Sequence, residues 1–173
     1  MKASRSAKMT QKRLELRASL WPEVTAEALW NRKVSDGYTT LPRTLPLMME
    51  IMDDLTNGKP VSRCYLSLWC RVWDEGFITI TNPRELAFES GFAGQRAERT
   101  WIERMRQLVV LGFIKATEGA SGEFNYVLLL NPYLVIERLK SEGRPGFQSK
   151  KYVALIQRAI EIGAKDVQRV AVS

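Results

Sequence analysis

The stretch NPRELAFESGFAGQRAERTWIERMRQLVVLGFIKATEGASGEFNYVLLL, residues 82–130, decides how this chain folds. Asn82-Pro83-Arg84-Glu85 opens a helix: asparagine caps, proline is pre-set for the first helical position, and Glu85 lies three residues after the cap, where it reaches back to the cap's amide. That helix carries Leu86, Ala87 and Phe88 inward before Gly91-Phe92-Ala93-Gly94, where two glycines permit the positive backbone angles of a tight corner. From Gln95 onward Ala97, Trp101, Met105, Leu108 and Val109 follow helical spacing and predict one stripe facing a core. The opposite face holds Gln95, Arg96, Arg99, Thr100, Glu103, Arg104 and Gln107. Gly112 stops the helix, and residues 113–117 and 124–130 predict two strands joined by a loose six-residue tip, residues 118–123.

This order of parts resembles the winged helix-turn-helix superfamily of DNA-binding domains over roughly residues 60–131, and Leu111-Gly112-Phe113-Ile114 is similar to the junction between second helix and wing in many bacterial regulators. The resemblance implies that the second helix lies in the major groove of double-stranded DNA, with Gln95, Arg96, Arg99, Thr100 and Glu103 facing bases or phosphates. It implies that the hairpin is a wing served by Lys115, Ser121 and Gly122. The tip departs from the wings of strong binders, since Ser121 and backbone amides are flanked by Glu118 and Glu123 instead of by cations. Arginine donates two hydrogen bonds to guanine, so Arg96 and Arg99 are the first candidates for base readout, with Arg104 and Arg106 expected on phosphates. Glu103 is placed to pair with Arg99 one turn away.

Outward from this stretch, Val61 to Trp73 predicts a buried helix and Phe77 to Ile80 a short strand that pairs with the hairpin. A further helix is expected from Leu45 or Pro46 to about Leu55, closed by Asn57-Gly58. Tyr38 to Leu41 is a candidate extended segment, and Arg43 and Thr44 are exposed candidates for phosphate contacts. Thr10 to Asn31 predicts a helix interrupted at Pro22, preceded by nine disordered residues, with Trp21 and Trp30 docked on the core or on a partner subunit. After the hairpin, Asn131-Pro132 starts a helix reaching Ser141. Gly143-Arg144-Pro145-Gly146 is a hinge, and Ser149 to Ile162 carries a narrow stripe of Val153, Ile156 and Ile160, suited either to a homodimer seam or to packing beside the domain.

The expected fold class is mostly α with a small antiparallel sheet (α+β), a winged helix-turn-helix with additional N- and C-terminal helices. The expected parts are a basic arm and helix (1–44), the winged domain (45–142) and a basic helical extension (143–173). Charge supports a polyanionic partner: of the net +7, residues 1–17 hold +5 and residues 144–173 hold +4, leaving −2 between them. The chain has no histidine, so the commonest general base and metal ligand are missing, and no phosphate-binding glycine motif occurs. Catalysis, metals, cofactors and small-molecule ligands are therefore not expected. Cys64 and Cys70, six apart in an apolar helical segment, fit neither a zinc pair nor a disulfide framework, and Asp53-Asp54 and Asp74-Glu75 read as helix ends. No apolar run approaches the roughly 20 residues of a membrane span and no signal region follows Met1, so the expected place is the cytoplasm. The expected function is sequence-specific DNA binding by a bacterial transcriptional regulator. Two other roles remain open: a replication or partition factor of a plasmid or mobile element, and a non-catalytic protein-interaction module.

Overall fold

The computed structural model describes residues 5–164, which divide between Tyr38 and Thr39 into two units. In the first, helix α1 (Arg5–Leu20) is followed by a turn at Pro22 and one turn of 3-10 helix, Ala26–Ala28. The helix begins earlier than Thr10, the start expected from sequence, because Arg5 to Gln11 are helix formers with nothing to break them. Residues 1–4 of the expected disordered leader lie outside the described residues. No described side chain of this unit is buried. Trp21 is 54% and Trp30 70% exposed, so neither indole is buried in a core of its own unit; Trp30 meets Tyr38, edge to face at 6.0 Å.

In the second unit the elements run α2 (Leu45–Asp54), α3 (Ser62–Trp69), β1 (Phe77–Thr79), α4 (Pro83–Glu89), α5 (Ala97–Leu111), β2 (Ile114–Gly119), β3 (Gly122–Leu129), α6 (Pro132–Ser141) and α7 (Ser149–Glu161). The fold is α+β: helices around one three-stranded antiparallel sheet in the order β1-β3-β2. Register puts Ile78 opposite Val127 and Val127 opposite Ala116, all on the core side. Phe77, Leu128 and Lys115 form the parallel row on the outer face. Asn125, buried in the sheet, donates from Nδ2 to the Ile80 carbonyl at 2.8 Å and so continues the pairing past the end of β1.

Three non-local joints fix the helices. Asp53, at the end of α2, accepts from the backbone N–H groups of Val61 (2.7 Å) and Ser62 (2.8 Å) and from the Ser62 hydroxyl (2.6 Å), so α3 is capped by a side chain from another helix. Thr44 is fully buried, its hydroxyl 2.5 Å from that of Tyr133 at the start of α6; the expectation that it is exposed fails because Tyr133 covers it. Lys151 of α7 reaches Asp54 at 2.7 Å and Glu50 at 3.0 Å on α2.

The C-terminal helix thus belongs to the same unit as the sheet. It packs on α2 through Leu155 and Ala159, both buried, while Val153 and Ile160 of the expected seam remain 52% and 69% exposed. Leu155 and Ala159, four positions apart, form the buried stripe in place of Val153 and Ile160. The helix expected to run to Trp73 ends at Trp69 with Cys70 as its cap, and no strand forms at 38–41. Among the described residues, no helix is long and apolar enough to cross a membrane.

Candidate nucleic-acid interface

The α4–corner–α5 unit is built as its local chemistry dictates. Asn82 accepts from the Glu85 amide at 3.3 Å, Pro83 occupies the first helical position, and Gly91 and Gly94 take φ of +84° and +80°. At Gly91 a methyl group would stand 2.4 Å from the Arg63 guanidinium, which lies over the bare backbone of the corner. Arg71, just past α3, donates to Glu85 at 2.8 Å and to Glu89 at 3.1 Å, tying α3 to α4. Its guanidinium charge is held more firmly than usual, first by the hydrogen bond to Glu89.

The buried stripe of α5 is Ala97, Trp101, Met105, Leu108 and Leu111. Val109, expected in it, is 40% exposed. On α4, Phe88, expected to face inward with Leu86 and Ala87, is exposed. The buried positions of α5 are 97, 101, 105, 108 and 111, and position 104 borders that stripe. Arg104 is accordingly half-buried, its Nε closed off from solvent without an acceptor, instead of standing on the outer face. It lies near enough to Cys64 to act electrostatically on that thiol, which burial nevertheless pushes up to about 11. The end of α5 is finished by Gly112 at φ +82° and by Arg138 of α6, which donates to the Leu111 carbonyl at 2.7 Å.

The outer face of α5 presents Gln95, Arg96 and Arg99, all exposed, with Thr100 and Glu103 half-buried along its edge. Arg96 occupies the position before the first turn, and its side chain makes no capping bond there. Arg99 is 83% exposed and lies 3.6 Å from Glu103, a loose pair across one turn that solvent screens heavily. Arg106 is committed differently: it holds Glu123 of β3 with a two-pronged contact, Nε to the carboxylate at 3.1 Å and a terminal nitrogen at 2.7 Å. The expectation of a phosphate-positioning Arg106 meets this prior partner, and Glu123 also raises the guanidinium's proton affinity. The same carboxylate locks the hairpin to α5.

The hairpin is tighter than the six-residue tip expected. Gly119 pairs with Gly122, leaving Ala120-Ser121 as a two-residue turn, with the register shifted between Thr117 and Gly119. Any side chain on Gly119 would strike Asn125 Oδ1 at 2.0 Å, which explains why glycine brings the strands this close. Ser121 is half-buried at the tip, whereas Lys115 is exposed at the root of β2, opposite Leu128. Four strand residues and Ala120 of the turn lie between them, about 15 Å of chain, so they cannot serve one contact. Arg43 is exposed immediately before α2, in the layer that α2 forms with α6 and α7, apart from the α4–α5 pair.

Sequence reasoning missed Arg63 and Glu123. Arg63 stacks on a glycine backbone, and Glu123 pairs with a residue seventeen positions away, so neither leaves a local signal. No family model, no curated protein and no solved structure matches this chain.

Proposed function

We propose that this chain is a winged helix-turn-helix protein that reads double-stranded DNA sequence-specifically through the outer face of α5, most simply as a bacterial transcriptional regulator. The observation that carries the reading is the outward pair Arg96 and Arg99, the second held only loosely by Glu103, at the start of a helix whose opposite face packs into the core, beside a hairpin that contacts that helix. A helix start supplies unpaired backbone N–H groups that favour phosphate oxygens, and two arginines one turn apart supply the forks that recognise guanine edges. The strand order β1-β3-β2 with the helices α3, α4 and α5 interleaved is the arrangement that such a domain requires. Gln95 and Thr100 flank the arginines as further base-edge contacts. Arg104 drops out of the contact set because it faces α3, and Arg106 serves by holding the hairpin. The wing contributes backbone amides near Ser121 more than charge. Replication or partition of a mobile element would use the same face, and binding sites near an origin instead of a promoter would distinguish that job. A protein-interaction role is favoured by one observation, the exposure of Trp21 and Trp30.

Selection of bound sequences from random duplex DNA tests the reading. A single enriched motif is expected. Arg96→Ala with Arg99→Ala should lower preference for that motif at least about 30-fold, from about 1–3 kcal/mol for each lost bidentate contact. An unchanged preference in the double variant, or no enriched motif, overturns it.

A further inference from the structure

We propose that α1 is a second nucleic-acid contact, a basic helix that lies on the phosphodiester backbone of duplex DNA without reading sequence; the proposal extends the reading of α5 and is testable apart from it. Every described side chain of α1 from position 7 to Leu20 is exposed, and no described residue of its unit is buried, so its own unit supplies no core to hold it. Among the described residues, none of Lys8, Lys12, Arg13 and Arg17 is in an ion pair; Arg13 has only the Thr10 hydroxyl, at 3.5 Å. Two of these pairs, Lys8 with Lys12 and Arg13 with Arg17, stand four residues apart, where like charges destabilise a helix. The first turn has no acidic residue, so cations crowd the positive end of the helix dipole. A sixteen-residue helix in water is already marginal. Each of these penalties disappears when phosphates lie along the helix.

Spacing chooses between two anionic surfaces. Lys8, Met9, Lys12, Arg13, Leu16, Arg17 and Leu20 share one face, with Gln11, Leu14, Glu15 and Ala18 on the other. A helix that lies in a lipid interface separates its cations from its apolar side chains; here they are interleaved, and Lys12 and Arg13 interrupt the run from Met9 to Leu16. Interleaving suits a ridge of phosphates, where alkyl stems lie along sugars while the charged heads reach oxygens. Charge complementarity therefore commits the face to DNA.

The test uses the full chain and fluorescence anisotropy on a random-sequence duplex, a duplex carrying the selected motif, and vesicles of phosphatidylcholine with phosphatidylserine. The variant Lys8→Gln, Lys12→Gln, Arg13→Gln, Arg17→Gln removes four cations from exposed positions while keeping good helix formers, and circular dichroism checks that the second unit is intact. Each phosphate contact adds about 0.9 to the slope of log affinity against log salt, so the variant's slope should be shallower by about 3.6. Between about 50 and 200 mM salt, the wild type should lose about 150-fold more affinity for the random duplex than the variant does. Helicity of the wild type should rise on adding that duplex, and preference for the motif should survive in the variant. Equal slopes overturn the proposal, as does a variant that loses vesicle binding and nothing else. Should Arg96→Ala with Arg99→Ala leave motif preference intact while the four-fold variant shows the shallower slope, the α5 reading falls and that of α1 stands. Equal slopes with preference lost in the double variant give the reverse.

Discussion

Trp101 is the residue on which the candidate interface rests, and its replacement separates two physical effects. It is 1% exposed, meets Phe124 of β3 edge to face at 5.7 Å, and so joins the buried side of α5 to the hairpin. Its indole Nε1 is buried and has no acceptor. Trp101→Ala removes a large buried ring and leaves a cavity, which costs about 3–5 kcal/mol; at a urea m-value of about 2 kcal/mol/M the midpoint should fall by about 1.5–2.5 M. Trp101→Phe keeps most of the ring but removes the unpaired donor. The lost volume, about 1–2 kcal/mol, is opposed by relief of an unsatisfied N–H, about 1–3 kcal/mol, so the net change should lie between about 1 kcal/mol destabilising and about 2 kcal/mol stabilising. Urea denaturation followed by far-UV circular dichroism reads both. If the phenylalanine variant is as unstable as the alanine one, the donor is satisfied and the account of this core is wrong. A midpoint shift below about 0.5 M for alanine would show that α5 is held by other contacts.

Two further outcomes follow from the helix joints. Asp53→Ala should destabilise the fold by about 2–3 kcal/mol, because a charged acceptor of three bonds at the start of α3 is lost, and the amide protons of Val61 and Ser62 should exchange faster with deuterium; unchanged exchange would mean that the cap is dispensable. Cys70, exposed, should react with a thiol reagent at about pH 8, and Cys64 only after unfolding. Burial raises the Cys64 thiol from 9.0 to about 11, so its contribution is complete below 9 and is lost as pH climbs from 9 to 11, by about 2–3 kcal/mol; Cys64→Ala should flatten that part of the stability profile, and a profile unchanged by the substitution would count against it.

What was legible in the sequence is what depends on neighbours along the chain. The cap at Asn82, the glycine corner, the stripe from Ala97 to Leu108 and the end at Gly112 are each determined within a few residues, and all four are present. Arg104 was misplaced because an arginine is read as surface, although position 104 lies seven residues after Ala97 and seven before Leu111, both buried. The face of α7 shows the complementary case: Val153 and Ile160 look apolar enough to pack, yet the buried positions are Leu155 and the small Ala159, which apolarity alone does not single out. Thr44, Asp53 and Glu123 find their partners across 8 to 89 positions of chain, and no spacing rule reaches that far. The tight tip was hidden because Gly119 and Gly122 are compatible with either a loose or a two-residue turn until Asn125 is seen beneath them.

The grip of Arg106 on Glu123 has a mechanical corollary. It is an outer latch, open to solvent, over a seat made by Trp101 and Phe124, so undoing it should leave the helix resting on the hairpin at little cost in stability.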